Sequence, residues 1–298
     1  MDMLRIEKNR VSHFFDGSAI PAAYAKSGEM VVFCCQDCYN DQLKDGEDLR
    51  KKHIAHYNPI TGPLYVEEAQ PGDVLKVEIC RIKLPESGIM SVRKGTGSYK
   101  VEGSYTRRFF MENGEILFDG GIHLKATPMV GTIGNAPPPG HIIPSDTPGE
   151  HGGNLDIRDL GEGAVLYLPV FVQGALLSMG DLHALQGDGE SAICGLETSG
   201  EVTVKVSLCK GREDIPTPLI LANGHYLTTA ADPSLDVCSL AAARKMHCFL
   251  LQHTQLSDAQ CAMLLSLKGN LRVSQIVNPA KGCMMEFPIG LAGEIFEG

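Results

Sequence analysis

The run "AVLYLPVFVQGALLSMG" at positions 164–180 passes directly into "GDLHALQGDGE" at 180–190, and these two stretches decide how the chain reads. The first is apolar almost throughout. Short apolar runs broken by turn residues are the mark of deeply buried strands. Ala164 to Val172 predicts one strand, Gln173 and Gly174 a tight connection, and Ala175 to Ser178 a second strand. The second stretch gathers Asp181, His183, Gln186, Asp188 and Glu190 among three glycines. A strand ending in a ligand cluster fits this pattern, and so does a polar hairpin turn.

Outward from this point the two-residue period recurs. In "AQPGDVLKVEICRIKL" (69–84), Leu75, Val77 and Ile79 alternate with Lys76 and Glu78 behind a Pro-Gly-Asp turn, as a half-buried strand requires. "GEVTVKVSLCKG" (200–211) and "TPLILANGHYLTTAA" (217–231) predict two more strands. After Asp232 the period lengthens. "PSLDVCSLAAARKMHCFLLQH" predicts a helix of about five turns, with Leu235, Leu240, Ala243, Met246, Phe249 and Leu250 near one stripe. Ser257 and Gln260, in capping-box spacing, open a shorter helix that ends at Gly269, and "LRVSQIV" predicts a strand again. The stretch 131–153 is so rich in Gly and Pro that it predicts a long functional loop or cover. The expected fold is mainly β: a sandwich- or barrel-like body over 1–215, with an α+β C-terminal segment over 216–298 carrying two helices and packed on it.

Composition narrows the function. The chain has 298 residues, 43% of them hydrophobic and 21% charged, which suits a globular protein of one or two domains. Its net charge of -10 argues against nucleic-acid binding and against attraction to an anionic membrane. A small neutral or cationic ligand is easier to accommodate. The N-terminus lacks a signal-peptide core, and no apolar run approaches the roughly 20 residues of a membrane span, so a cytoplasmic location is expected. In that compartment most of the ten cysteines should be small buried hydrophobes. Cys34, Cys35 and Cys38 cluster, but no second pair stands at structural-zinc spacing.

Four clusters could carry chemistry. Asp181 and His183 are two apart, so on a strand both face one ion, and Gly187 and Gly189 let Asp188 or Glu190 turn back toward it. In "HGGNLDIRDL" (151–160), Asn154 and Asp156 share a face if extended, although a turn held by Asn and Asp side chains explains them too. In "CQDCYNDQ", Asp37 follows an apolar run, where a carboxylate needs a partner or a metal, unless it simply caps a turn. His53 and His56 precede Asn58-Pro59, and surface residues at a helix end are the plainer reading of both.

"NPITGPLYVEEAQPGD", "HGGNLDIRDL", "LYLPVFVQGALLSMGDLHALQGDGE" and the "DCYNDQ" segment together resemble the acetamidase/formamidase family, in that family's order and from about residue 10 onward. The resemblance implies a mainly β fold, a bound divalent metal, and hydrolysis of short amides to a carboxylate and ammonia. The chain departs from the family pattern at Asp41, where a small residue is usual before the glutamine, and at "SHFFDG", where an aromatic-rich motif is expected. It also has no Trp. These departures fit a subfamily acting on another amide or a lactam.

Amide hydrolysis needs a polarised carbonyl, an activated water and a proton for the leaving amine. On this reading Asp37, Asp181 and His183 ligate the metal, with Asp156 as a fourth ligand. Glu190 shuttles the proton, with Glu197 in reserve, and Asn154 and His151 bind substrate. Mixed oxygen and nitrogen ligands suit zinc best, while a more carboxylate-rich site would hold calcium. The rival expectation is a non-catalytic β-sandwich module that binds calcium or a small ligand. A homodimer or larger homo-oligomer is the expected assembly.

Overall fold

The structure is a computed structural model that describes residues 3–293. It is mainly β, and two large sheets hold most of the strands. The first sheet has nine strands. Its order runs Leu4–Ile6, Met30–Cys35, Gly200–Cys209, Val74–Lys83, Val165–Pro169, Leu219–Ala222, His225–Asp232, Lys281–Pro288 and Asn270–Gln275. The second, of eleven strands, is centred on Leu177–His183, which pairs with Met129–Gly134, Ile60–Val66 and Glu197–Thr198.

Alternation explains why these sheets face each other. Leu75, Val77 and Ile79 are buried, while Lys76 and Glu78 reach the surface. They join one apolar core with Val130, Ile133, Leu177, Met179 and Leu182 from the other sheet. Burial of such side chains stabilises by roughly 1.5–3 kcal/mol each.

The run 164–180 does not form a hairpin. Val165–Pro169 lies in the first sheet and Leu177–His183 in the second. Gly174, Ala175 and Leu176 all adopt positive φ (79°, 58° and 59°), and three successive left-handed residues swing the chain from one sheet to the other. The second strand therefore continues past Ser178, and Asp181 and His183 sit inside it.

Two other expectations change. Stretch 131–153 is not one long loop, because it contributes to Met129–Gly134, Ile142–Pro144 and Gly152–Asn154. Its glycines serve close approach. A Cβ on Gly134 would meet Gly153 N at 2.7 Å. The stretch 217–231 is two strands, because Asn223 and Gly224 both take positive φ and turn the chain between Leu219–Ala222 and His225–Asp232.

The helices stand where the longer period puts them. Helix α1 (Leu235–His253) is capped by the Ser234 side chain, and α2 (Asp258–Lys268) by the reciprocal Ser257–Gln260 box. A four-residue helix, α3 (Ile289–Ala292), follows the last strand. The buried face of α1 is rotated from the expected stripe. Cys238, Ala242, Met246, Phe249 and Leu250 face the sheet, whereas Leu240 is 55% exposed. Small residues at 238 and 242 let the helix sit close enough for Thr228 Oγ1 to donate to Ala242 O. No helix among the described residues is long and apolar enough to cross a membrane.

Candidate active site

The site grows from the register around Leu177–His183. His183 lies directly opposite Glu197, and Leu182 opposite Thr198. On the other side Thr132 pairs with both Gly180 and Asn154, which carries the 151–160 segment alongside. Asp156, Asp181 and Glu190 take positive φ (47°, 56° and 40°). Left-handed backbone at non-glycine residues is costly, and such strain concentrates where side chains must be aimed. Gly131 makes room for them, because a Cβ there would lie 2.7 Å from Asp156 Oδ1 and 2.9 Å from Asp181 Oδ2.

These residues line a cavity of about 240 Å³, with Asn58, Asn154, Asp156, Asp181, Glu190 and Glu197 as its acidic and amide wall. Tyr39, Tyr57 and Arg93 also line it, and Arg93 is the only Lys or Arg among the described residues that does. Four carboxylates thus share a buried space with one imidazole. Burial, then the charge of Asp181, raises Asp156 to about 6. Burial raises Glu197 to about 7, although His183 opposes the shift. Burial and then Asp156 hold Glu190 well above the usual carboxylate range. For His183, burial works against the imidazolium, but Glu197 and Asp181 outweigh it and hold the ring well above its ordinary value.

The tautomer of His183 tests whether a metal fits. Gln186 Nε2 donates to Asp156 O at 2.8 Å, which turns Gln186 Oε1 toward His183 Nδ1 at 2.7 Å. Nδ1 must therefore carry a proton and donate it to Gln186. Nε2 then points at Glu197 Oε1 (3.0 Å) and Asp181 Oδ1 (3.5 Å), and no hydrogen bond satisfies it. Asp156 Oδ1 and Glu197 Oε2 are likewise buried without a partner. Lone pairs facing one another in a buried space require a cation between them, either a proton on Nε2 or a metal ion. The donors present, imidazole and carboxylate, suit a divalent metal. Two groups have ligand atoms close enough to hold one: Asp156, His183 and Glu190, and beside them Cys38, Asp181 and Glu197.

The expected residues divide. Asp156, Asp181, His183, Glu190, Glu197 and Asn154 are brought together. Asn154 Oδ1 accepts from Thr132 Oγ1 at 2.6 Å, which leaves its Nδ2 as a donor. Asp37 is not part of this wall. Its Oδ1 accepts from Tyr39 N and Asp41 N, closing a turn, and it lines a separate cavity with Lys8, Asp41 and Arg108. Burial raises it to about 6. Asp41, the departure from the family pattern, pairs with Lys8 at 2.9 Å. His151 does not line the cavity either. It packs edge-on against Phe15, and burial lowers it to about 4. Asp188 turns outward to Arg272 and Arg158, so Glu190 is the acid that turns back. His53 and His56 are exposed.

Sequence reasoning missed Cys38, Gln186 and Asn278. Asn278 Nδ2 donates to Asp156 Oδ2 at 3.1 Å. The only sequence signals were adjacency: Cys38 follows Asp37, and Gln186 lies inside the cluster already singled out.

Fold and cluster define a β protein built around a buried acid–histidine centre able to hold a divalent cation. The family description Acetamidase/Formamidase matches residues 7–137 and 141–296, and the chain belongs to that family. It superposes on the acetamidase of Bacillus halodurans with a TM-score of 0.94 at 40% identity, over 97% of this chain and 98% of that one. The predicted acetamidase/formamidase of Thermoanaerobacter tengcongensis gives a TM-score of 0.92 at 36% identity, over 97% of both chains. The acetamidase of Mycolicibacterium smegmatis is 26% identical over 64% of this chain and 64% of its own. The chain spans less than two thirds of the length of the curated relatives it matches.

Proposed function

We propose that the chain hydrolyses a short primary amide, of the formamide or acetamide kind, to a carboxylate and ammonia at a divalent metal centre. The observation that carries this reading is His183 Nε2 aimed at two buried carboxylates, in a chain of the acetamidase/formamidase family. Asp156, Asp181 and His183 would hold the ion, and zinc suits this mixed donor set better than calcium, for which imidazole is a poor ligand. When bound, such an ion polarises the carbonyl and lowers the pKa of water to about 7.

The chain's own residues do the rest. Asn154 Nδ2 is free to donate to the amide oxygen, because Thr132 already occupies its Oδ1. Glu190, which burial favours as the neutral acid, can protonate the departing nitrogen and take a proton from water in exchange. Glu197 faces His183 from the opposite side, so the shuttle is better left with Glu190. The burial of Asn154, Glu190 and Glu197 strengthens each of these interactions.

The test is ammonia release from formamide, acetamide and propionamide, and amino-acid release by ring opening of small lactams, before and after chelation. Turnover of a linear amide that is lost on chelation and restored by zinc is expected. Turnover indifferent to chelation would overturn the metal role, and no ammonia from any amide would overturn the function.

A further inference from the structure

Nothing in the mechanism above uses Cys38. Its thiol lies at the wall of the same cavity, 6% exposed, with its sulfur within 4.8 Å of carboxylate oxygens of Asp181 and Glu197. Local structure explains the placement. Asp37 accepts two backbone N–H groups and tightens the turn, which carries Asp37 to one side of the segment and Cys38 to the other. The carboxylate was the more obvious ligand by residue type, yet the turn presents the thiol.

A lone buried cysteine would be only a small hydrophobe. Here a second observation bears on it. Glu197 is 1% exposed, its Oε1 accepts from Gly195 N at 3.1 Å, and its Oε2 has no hydrogen-bond partner. A carboxylate oxygen fully removed from water and left unpaired is costly unless a cation or a proton meets it. The group Asp156, His183 and Glu190 forms its own cluster, and Asp181 Oδ1 lies 3.5 Å from His183 Nε2, between the two.

We propose that Cys38, Asp181 and Glu197 form a second, thiolate-bearing cation position beside the one held by Asp156, Asp181 and His183, with Asp181 shared between the two. This inference rests on the metal-centre reading above. On binding, the S–H bond of Cys38 breaks, its proton leaves to solvent, and the sulfur lone pair is donated to the ion. The thiolate makes the position selective for zinc, cobalt or cadmium over calcium and magnesium, because hard cations take oxygen ligands.

Cobalt(II) is the probe. The chelated full-length protein is titrated with cobalt, read by visible d–d bands, by the near-ultraviolet thiolate-to-cobalt charge-transfer band, and by elemental analysis. Two cobalt ions per chain with a charge-transfer band are expected. In Cys38→Ser the band should vanish and the stoichiometry fall from two to one, with d–d bands retained. Cys194→Ser, which alters a neighbouring buried thiol of the same cavity, should leave both unchanged. Cys38→Ala, checked for its fold by circular dichroism, should behave as Cys38→Ser. A single bound cobalt in the unmodified protein overturns the second position and spares the first. A band that survives in Cys38→Ser and Cys38→Ala also overturns it. No bound cobalt at all overturns the metal-centre reading itself.

Discussion

Gln186 Oε1 accepts the Nδ1 proton of His183 at 2.7 Å, while its own amide donates to Asp156 O at 2.8 Å. One side chain thereby fixes the tautomer of the imidazole and ties it to the segment that carries a cavity carboxylate. Partners of this kind orient a metal ligand and raise its basicity. Gln186→Leu should therefore weaken zinc binding by about 10–100-fold while the protein remains folded. Calorimetric zinc titration beside circular dichroism checks it. Unchanged affinity would mean that His183 is held by its strand alone.

The directions of the buried groups set the pH dependence of the metal-free protein. Asp156 and Glu197 titrate in the fold at about 6 and about 7, both raised by burial, against about 4 in an unfolded chain. A raised folded value contributes stability that is complete below the unfolded value and is lost as pH rises through the folded one. His183 is also raised, so it acts in the same direction. The chelated protein should lose thermal stability between pH 5 and pH 8, and the gap in Tm to the zinc-loaded protein should widen over that window. A pH-independent gap would show that the metal does not neutralise these groups.

Gly131 offers a steric test. A methyl group there would stand 2.7 Å from Asp156 Oδ1 and 2.8 Å from Asp181 O, so neither backbone nor carboxylate can keep its place. Gly131→Ala should destabilise by about 1–3 kcal/mol, typical of overpacking, and should lower metal occupancy as well. Denaturant melts and elemental analysis check the two effects separately. A stable variant with full occupancy would show that Asp156 and Asp181 need no such fit.

What the sequence disclosed follows how local each feature is. The alternation at 74–83 and the capping box at Ser257 are read from neighbours in the chain, and the structure has both. The hairpin expected across Gln173 and Gly174 failed because apolar runs report burial, not which sheet receives them. Asp181, His183 and Glu190 stand within ten positions, so their meeting could be foreseen from spacing. Asn278 reaches Asp156 across 122 positions, and nothing in "IVNPAKG" announces it. Between Asp37 and Cys38 residue type pointed to the carboxylate, but turn geometry, invisible in the sequence, set the side chains on different cavities.

Glu190 separates three roles by one substitution. Its backbone is strained at φ 40°, and its carboxyl group is buried among the ligand atoms of Asp156 and His183. If it shuttles the proton, Glu190→Gln preserves shape and metal but removes the titrating oxygen. General acid–base groups contribute about 10²–10⁴-fold, so kcat should fall by that order with KM little changed. If Glu190 instead ligates the ion, zinc content and kcat should fall together, because an amide is a poorer donor than a carboxylate. If it merely closes the turn through its N–H to Gly187 O, which Gln retains, turnover should barely move. The proton-shuttle role predicts full zinc occupancy with the large fall in kcat. Undiminished turnover would transfer the shuttle to Glu197, whose carboxyl stands 3.0 Å from His183 Nε2 across the strand pair.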